Sequence, residues 1–190
     1  MALDYYERSL KIQEEIGYKR GMVENLNNIG LVHWKKGEHE KALDYYGRSR
    51  EISKEIGHKY GVGNNLGNIG IVHSNKGDLE KARSYLEKSL SIQKEIELKE
   101  IELDTTTNLY FAHKHLGKEY NVTEIHALIK EQEYIEYYVN FTLFKLLEDT
   151  SYLKTAYNQV QEKASVMDGG AKFLSYPIPS AIVEEWEKVK

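Results

Sequence analysis

A repeat with a period of forty residues is the feature that most constrains this chain. The segment Ala-Leu-Asp-Tyr-Tyr at residues 2–6 returns at residues 42–46, and Asn-Ile-Gly at residues 28–30 returns one period later. Laying the first period, residues 2–41, over the second gives 24 identical positions of 40, far more than unrelated segments share. Self-similarity at this period is typical of a repeat architecture, in which each unit packs only against its neighbours.

Each period contains two helical patterns. In the second period Ala42, Tyr45, Ser49, Ile52 and Ile56 recur every three or four residues, which places them on one face of a helix. A second stripe lies in the other half of each period, and in the first two periods it consists of Met22, Leu26, Ile29 and His33, then Val62, Leu66, Ile69 and His73. A glycine followed by an acidic residue separates the two patterns and is typical of a helix end. The sequence therefore predicts an all-α stack of antiparallel helix pairs.

Composition excludes several classes of function. The net charge is −4, which argues against a nucleic-acid binder because such proteins carry a basic excess. The chain has no cysteine, so disulfides, cysteine-ligated zinc and thiol catalysis are excluded. No apolar run approaches the roughly 20 residues that span a bilayer. We therefore expect a cytoplasmic protein that binds neither nucleic acid nor membrane.

These residues resemble the tetratricopeptide repeat family in a longer form of about forty residues. The positions that carry the resemblance are the large, small and aromatic places of one helix pair, here Leu26, Ile29, Gly30, His33, Gly37, Ala42, Tyr46 and Ser49. Histidine stands where the family usually has tyrosine, and serine replaces the last small residue. The resemblance implies a right-handed α-solenoid over roughly residues 2–120, with small residues where two helices cross closely.

The repeat register divides the chain into an array, residues 1–120, and a C-terminal region, residues 121–190. Within the array we expect a half repeat, two full repeats and a degraded repeat, spanning residues 2–17, 22–57, 62–97 and 100–120. The half repeat reads as the second helix of a pair, so one flank of its stripe is left uncovered. This favours a fragment of a longer protein or a partner that covers the flank.

The C-terminal region shows no further period. Its patterns predict a helix capped by Asn121 or Thr123 that ends near Leu147, and a second helix capped by Asp149 or Thr150 that ends near Met167. Gly169-Gly170 is expected to end that helix, and residues 172–179 are expected to be extended because proline disfavours a helical residue before it. Ser180 is expected to cap a last short helix.

Residues 134–147 are dense in large apolar side chains, which leaves two interpretations open. One is a helical cap that closes the exposed end of the array, and the other is a docking or dimerisation element. The sequence of residues 146–179 also resembles the C-terminal tails of microbial multidomain signalling proteins, in which tetratricopeptide arrays follow a class III adenylate or guanylate cyclase domain. That resemblance implies a sensor or scaffold part only, because no cyclase catalytic residue lies in this chain.

The sequence offers little catalytic chemistry. His33, His73 and His113 recur at the repeat period, so they occupy equivalent places on successive helices and are expected to pack rather than to share a metal ion. The glycine-rich residues 63–70 lack the Lys-Ser/Thr ending of a phosphate loop and follow no predicted strand. We therefore expect a protein that is not an enzyme and has no metal site and no cofactor.

Binding is the remaining function. In the family, first helices line a concave groove that holds an extended peptide, and Asn28, Asn68 and Asn108 form a ladder of one asparagine per repeat. An asparagine amide donates and accepts, so such a ladder can hold a peptide backbone, unless the side chains bond neighbouring helices instead. The other residues that the register places in the groove are Asn27, Leu31, Trp34, Lys35, Asn64, Ile71, Asn75 and Phe111. The sequence thus favours a scaffold for a protein or peptide.

An oligomerisation or sensor module of a larger signalling protein is the alternative. In that case the key contact, including one that forms a homo-oligomer, is made by the open first helix or by the aromatic tail. The carboxylate clamp that some family members use is disfavoured, because Glu24 and Asp104 oppose the only nearby lysines, Lys35 and Lys114.

Overall fold

The computed structural model describes residues 2–97, 101–167 and 170–189, and within these ranges every regular element is a helix. The helices are α1 Ala2–Ile16, α2 Lys19–Lys35, α3 His39–Glu55, α4 Lys59–Asn75, α5 Leu79–Glu95, α6 Glu102–His115, α7 Val122–Lys130, α8 Tyr137–Leu147, α9 Thr150–Val166, α10 Gly170–Leu174 and α11 Pro177–Val189. Consecutive helices from α1 to α6 pack pairwise, as in a tetratricopeptide-like helical repeat. The predicted all-α class is confirmed. None of these helices is long and apolar enough to cross a membrane.

The turns inside the helix pairs end on glycine, as the sequence predicts. Gly37 and Gly77 have φ angles of 75° and 80°, and Gly117 follows α6 with a φ of 66°. A positive φ angle is unfavourable for residues that carry a side chain, and glycine adopts it without this cost. The residue after each glycine donates its N–H back into the preceding helix, for example from Glu38 N to His33 O at 2.9 Å. This closes the helix end and sets the antiparallel return.

Small residues lie where the helices of a pair cross, which confirms that expectation. A Cβ atom added to Gly30 would lie 2.7 Å from the ring of Tyr46, and one added to Gly70 would lie 2.6 Å from Cγ of Leu86. Tyr46 and Leu86 are almost fully buried. The two glycines thus give these side chains room to pack against the backbone of α2 and α4.

A ladder of buried polar side chains joins successive pairs, and the sequence analysis missed it. Ser49 donates to Val23 O at 2.9 Å and accepts from Asn65 Nδ2 at 2.9 Å, so one hydroxyl links α2, α3 and α4. One period later Ser89 donates to Gly63 O at 2.7 Å. Asn65 and Ser49 are buried, so these bonds satisfy groups that water does not reach. The sequence signal for these buried bonds was the recurrence of serine, at Ser49 and Ser89, at the same position of the apolar stripe.

The recurring histidines pack, as expected. His33 is buried and stacks on Tyr45 with ring centroids 5.4 Å apart, while its Nδ1 lies 2.8 Å from a carboxylate oxygen of Glu38. The hydrogen bonds from Lys41 and His33 hold the pKa of the Glu38 carboxyl at about 2. Among the residues that the structure describes, no group of three or more His, Asp or Glu side chains could hold a metal ion.

The C-terminal helices form the cap. Leu103 of α6 packs with Ile125 of α7 and Leu143 of α8, and all three are buried. Asn121 caps α7 by accepting from Glu124 N at 3.3 Å, and Asp149 caps α9 by accepting from Ser151 N at 2.8 Å. Both caps were among the predicted alternatives.

The single helix predicted from residue 121 to residue 147 is wrong, because the chain leaves the helix after Lys130 and starts again at Tyr137. Side-chain amides replace the helical hydrogen bonds at this break. Ile135 O accepts from Asn140 Nδ2 at 3.0 Å and from Gln159 Nε2 at 2.7 Å. Gln159 belongs to α9, so a tertiary contact stabilises a break that the local pattern does not mark.

The extended segment predicted for residues 172–179 is also wrong. Residues 170–174 form α10, and α11 begins at Pro177. Both prolines, Pro177 and Pro179, lie in the first turn of α11, where backbone N–H groups have no partner within the helix and a missing N–H costs nothing. Ser180 therefore lies inside α11 rather than capping it, and donates to Glu184 at 2.9 Å. Of the predicted Gly169-Gly170 break, Gly169 lies outside the described residues.

Candidate interaction surface on the first helices

The first helices of the pairs, α2, α4 and α6, lie side by side and form one surface, which we call the first-helix face. The predicted site residues lie on these three helices. The C-terminal helices α8 and α11 contact this face at Trp34 and Gly37, near the end of α2. The face is thus divided into an open part near the start of α2 and α4 and a covered part near their ends.

The open part holds a polar cavity of about 470 Å³, which we call the asparagine pocket. Its walls include Arg20, Glu24, Asn27, Asn28, His58, Tyr60 and Asn64. Asn28 is half-buried, and within the described ranges its amide has no hydrogen-bond partner. Nδ1 of His58 is buried and also lacks a partner there. The pocket thus offers a free amide and an unsatisfied ring nitrogen to a ligand.

The three asparagines of the predicted ladder have different environments. Asn68 donates to Asn27 Oδ1 at 2.8 Å and to Asn64 Oδ1 at 3.5 Å, so its amide bonds a neighbouring helix. Asn108 is only 4% exposed and donates to the backbone and side-chain oxygens of Asp104 at 2.9 and 2.8 Å. Only Asn28 keeps its whole amide available.

Tyr138 of α8 covers the middle of the first-helix face. Its ring meets Trp34 edge-on with centroids 5.1 Å apart, and the ammonium of Lys35 lies 5.9 Å from its centroid. Leu31 packs in the same apolar cluster as Tyr138. Burial lowers the pKa of Lys35. Tyr138 of the same molecule thus contacts Trp34 and Lys35 and shares an apolar cluster with Leu31.

Asp104 of α6 lies beneath this cover. Asp104 lines a small space together with Tyr46 and Tyr138, and the hydrogen-bond donor to its carboxylate is the neutral Asn108. Desolvation by burial raises its pKa to about 7, although the hydrogen bond from Asn108 acts in the opposite direction. The covered part therefore contains a carboxyl group that titrates near neutral pH.

A larger cavity of about 550 Å³ lies between the first-helix face and the C-terminal helices, and we call it the apolar cleft. The predicted residues Trp34, Ile71, Asn75, Asn108 and Phe111 line one side. The other side consists of residues that the sequence analysis did not assign to a site: Tyr138, Phe141, Lys145, Pro177 and Ile178. Tyr138, Phe141 and Lys145 lie in the apolar-dense residues 134–147, a signal that says nothing about the surface they face, and Pro177 and Ile178 lie in the segment predicted to be extended.

The comparison with protein families agrees with the fold of the helix pairs. The family model of the tetratricopeptide repeat matches residues 1–55 and 21–95, which together span half of the chain. The chain belongs to the tetratricopeptide repeat family. That membership suggests a protein–protein interaction scaffold, and such repeats are generally non-catalytic. No curated protein matches the sequence.

Proposed function

We propose that this protein is a non-enzymatic scaffold that binds a peptide or protein segment on the first-helix face, with the asparagine pocket as the primary contact. The observation that carries the proposal is the free amide of Asn28 in a half-buried pocket. An amide in this setting gains two hydrogen bonds when a peptide backbone supplies a donor and an acceptor.

The charges of the pocket favour a segment held through its backbone. Arg20 and Glu24 lie 3.9 Å apart on successive turns of α2, so the rim carries both signs of charge. Neither sign dominates, which disfavours selection of a strongly acidic or basic partner. Asn27 and Asn64 already accept from Asn68, and both line the same pocket as Asn28.

Selection from a random peptide library, followed by fluorescence polarisation, tests this proposal. Peptides selected on the purified chain are expected to bind at least ten times more weakly to Asn28→Ala and to Asn64→Ala. Asn158→Ala is the matched control, because Asn158 is an exposed asparagine on α9 and its loss is expected to leave the affinity unchanged. Asn28→Ala should unfold at the same temperature as the parent protein, since it breaks no bond of the fold.

Two results would contradict the proposal. The first is a library that yields no peptide with reproducible affinity for the folded protein. The second is a selected peptide whose affinity is the same for the parent protein, Asn28→Ala and Asn64→Ala.

Self-association through α1 is a second candidate, and the exposure of its apolar stripe supports it. Tyr5, Ile12 and Ile16 are 66%, 58% and 69% exposed. The equivalent Tyr45 and Ile52 of α3 are partly buried against a neighbouring helix. The large apolar patch on α1 is typical of an interaction surface. The resemblance of the tail to cyclase-linked arrays would place this module in a larger signalling protein.

Light scattering over a wide concentration range tests the second candidate. A mass that rises with concentration, and that returns to 22.1 kDa when Ile12 and Ile16 are both replaced by lysine, would support it. A constant mass of one chain at all concentrations would exclude self-association and leave the asparagine pocket as the functional surface.

A further inference from the structure

The apolar cleft has the properties of a ligand site separate from the asparagine pocket. Its volume of about 550 Å³ lies within the range of roughly 300–1,000 Å³ that small-molecule sites have in proteins. Ile71, Phe111, Phe141 and Ile178 supply apolar walls from four different helices. Such a space can bury the body of an organic molecule.

The charges around the cleft are of one sign. The charged side chains that line it are those of Lys76 and Lys145, and the described lining contains no carboxylate, although the chain as a whole has a net charge of −4. Lys76 is engaged by Glu40. The cleft is therefore electrostatically suited to an anion.

Lys145 is the cation available to such an anion. Its ammonium lies 4.1 Å from the ring centroid of Phe141 and 5.7 Å from that of Phe111, and it has no hydrogen bond or ion pair within the described chain. Glu185, whose charge acts on Lys145, is paired with Lys188 at 2.8 Å. Desolvation lowers the pKa of Lys145, which a bound anion would reverse.

Two buried polar atoms on the walls of the cleft lack partners. The indole N–H of Trp34, a residue only 6% exposed, and Nδ1 of His39 have no hydrogen-bond partner among the described residues. A buried donor without an acceptor costs free energy that a ligand oxygen recovers. Trp34 and His39 thus add polar recognition to the charge of Lys145.

We propose that the apolar cleft binds a free carboxylic acid with an aliphatic or aromatic body. Lys145 neutralises the carboxylate, Trp34 donates to it, and the body packs on Ile71, Phe111 and Phe141. A finite molecule is favoured over a continuing polypeptide because α11 closes against the turn after α2 at one edge of the cleft. There a Cβ atom on Gly37 would lie only 2.6 Å from Pro177.

Calorimetric titration with decanoate tests this proposal. We expect one molecule to bind per chain, with a dissociation constant on the order of 0.1 mM. Lys145→Met is expected to weaken binding at least tenfold, and Trp34→Phe, which keeps an aromatic ring but removes the indole N–H, at least threefold. Decanol, which has the same body without the charge, should bind at least tenfold more weakly than decanoate. Lys154→Met removes an exposed lysine of α9 and should leave the affinity unchanged.

Three outcomes would overturn the proposal. The first is no binding of decanoate to the parent protein, the second is binding of decanoate to Lys145→Met as tight as to the parent, and the third is binding only of a peptide that ends in a free leucine carboxylate. Asn28→Ala separates this test from that of the proposed function, because it is expected to weaken peptide binding at the asparagine pocket at least tenfold and to leave decanoate binding intact.

Discussion

The open and covered parts of the first-helix face have the same repeat register and different surfaces. In the open part Asn28 keeps its amide free, and the neighbouring side chains are polar. In the covered part the equivalent Asn108 is buried against Asp104, and Tyr138 lies over Trp34. A repeat position therefore fixes where a side chain lies on its helix but does not fix what that side chain can bind.

The difference arises from helices outside the repeat. The α8 and α11 helices place aromatic and apolar side chains against the covered part, and burial there raises the pKa of Asp104. The open part has no such cover within the described chain. One array thus presents a polar pocket suited to a backbone and an apolar cleft suited to a small anion.

Removing the cover should have the largest effect on stability. Tyr138→Ala deletes the ring that packs on Trp34 and is expected to lower the free energy of unfolding by about 3 kcal/mol. In a Trp186→Phe background the emission of Trp34 should shift to the red, because its ring becomes exposed. Tyr134→Ala, at a side chain 59% exposed, should change stability by no more than about 0.5 kcal/mol. Equal losses for both variants would contradict the role assigned to Tyr138.

The burial of Asp104 in the covered part predicts that the stability of the protein depends on pH. Because burial raises its pKa to about 7, the folded state holds the proton more tightly than the unfolded state, and stability falls as pH rises from the usual pKa of 3.8 to about 7. Asp104→Asn keeps the acceptor for Asn108 and removes the charge.

The variant should therefore be more stable than the parent by roughly 2–3 kcal/mol at pH 8, with little difference at pH 4. Urea unfolding at both values measures this. Asp44→Asn, at an exposed side chain, is the control. A gain for Asp104→Asn that is the same at both pH values would show that the carboxyl does not titrate as described.

Two glycines test the close packing within the helix pair of α2 and α3. Gly30→Ala drives a Cβ atom against the buried ring of Tyr46 and should cost roughly 1–2 kcal/mol after the gain in helix propensity. Gly47→Ala meets no atom within 4 Å and should stabilise the protein by about 0.5–1 kcal/mol. Thermal unfolding of both variants should give opposite shifts, and shifts of the same sign would contradict this account.

The smallest expected effect is the difference in stability between the Asn108→Ala and Asn28→Ala variants. Asn108→Ala breaks two hydrogen bonds to Asp104 and should cost about 1 kcal/mol. Asn28→Ala breaks none and should stay within about 0.5 kcal/mol of the parent in urea unfolding. If Asn28→Ala lost as much as Asn108→Ala, the free amide of the asparagine pocket would be in doubt.

Much of the fold could be predicted because its determinants are local. The apolar stripes, the glycines after α2 and α4, and the caps at Asn121 and Asp149 each depend on residues within a few positions. The break before α8 and the start of α11 at Pro177 escaped prediction. The break depends on Gln159 of a later helix, and a first helical turn accepts prolines that the extended interpretation assigned to a strand-like segment.

The sequence by itself determined the forty-residue period, the helix pairs and the helices that carry the candidate site. Only the tertiary structure decided which of those residues stay available, because Trp34 and Tyr138 meet across about 100 residues of chain. Repeat register is set by contacts between neighbouring helices, and it repeats faithfully. The covering of a surface by distant helices depends on packing between segments that share no local pattern, so the same asparagine is free at residue 28 and buried at residue 108.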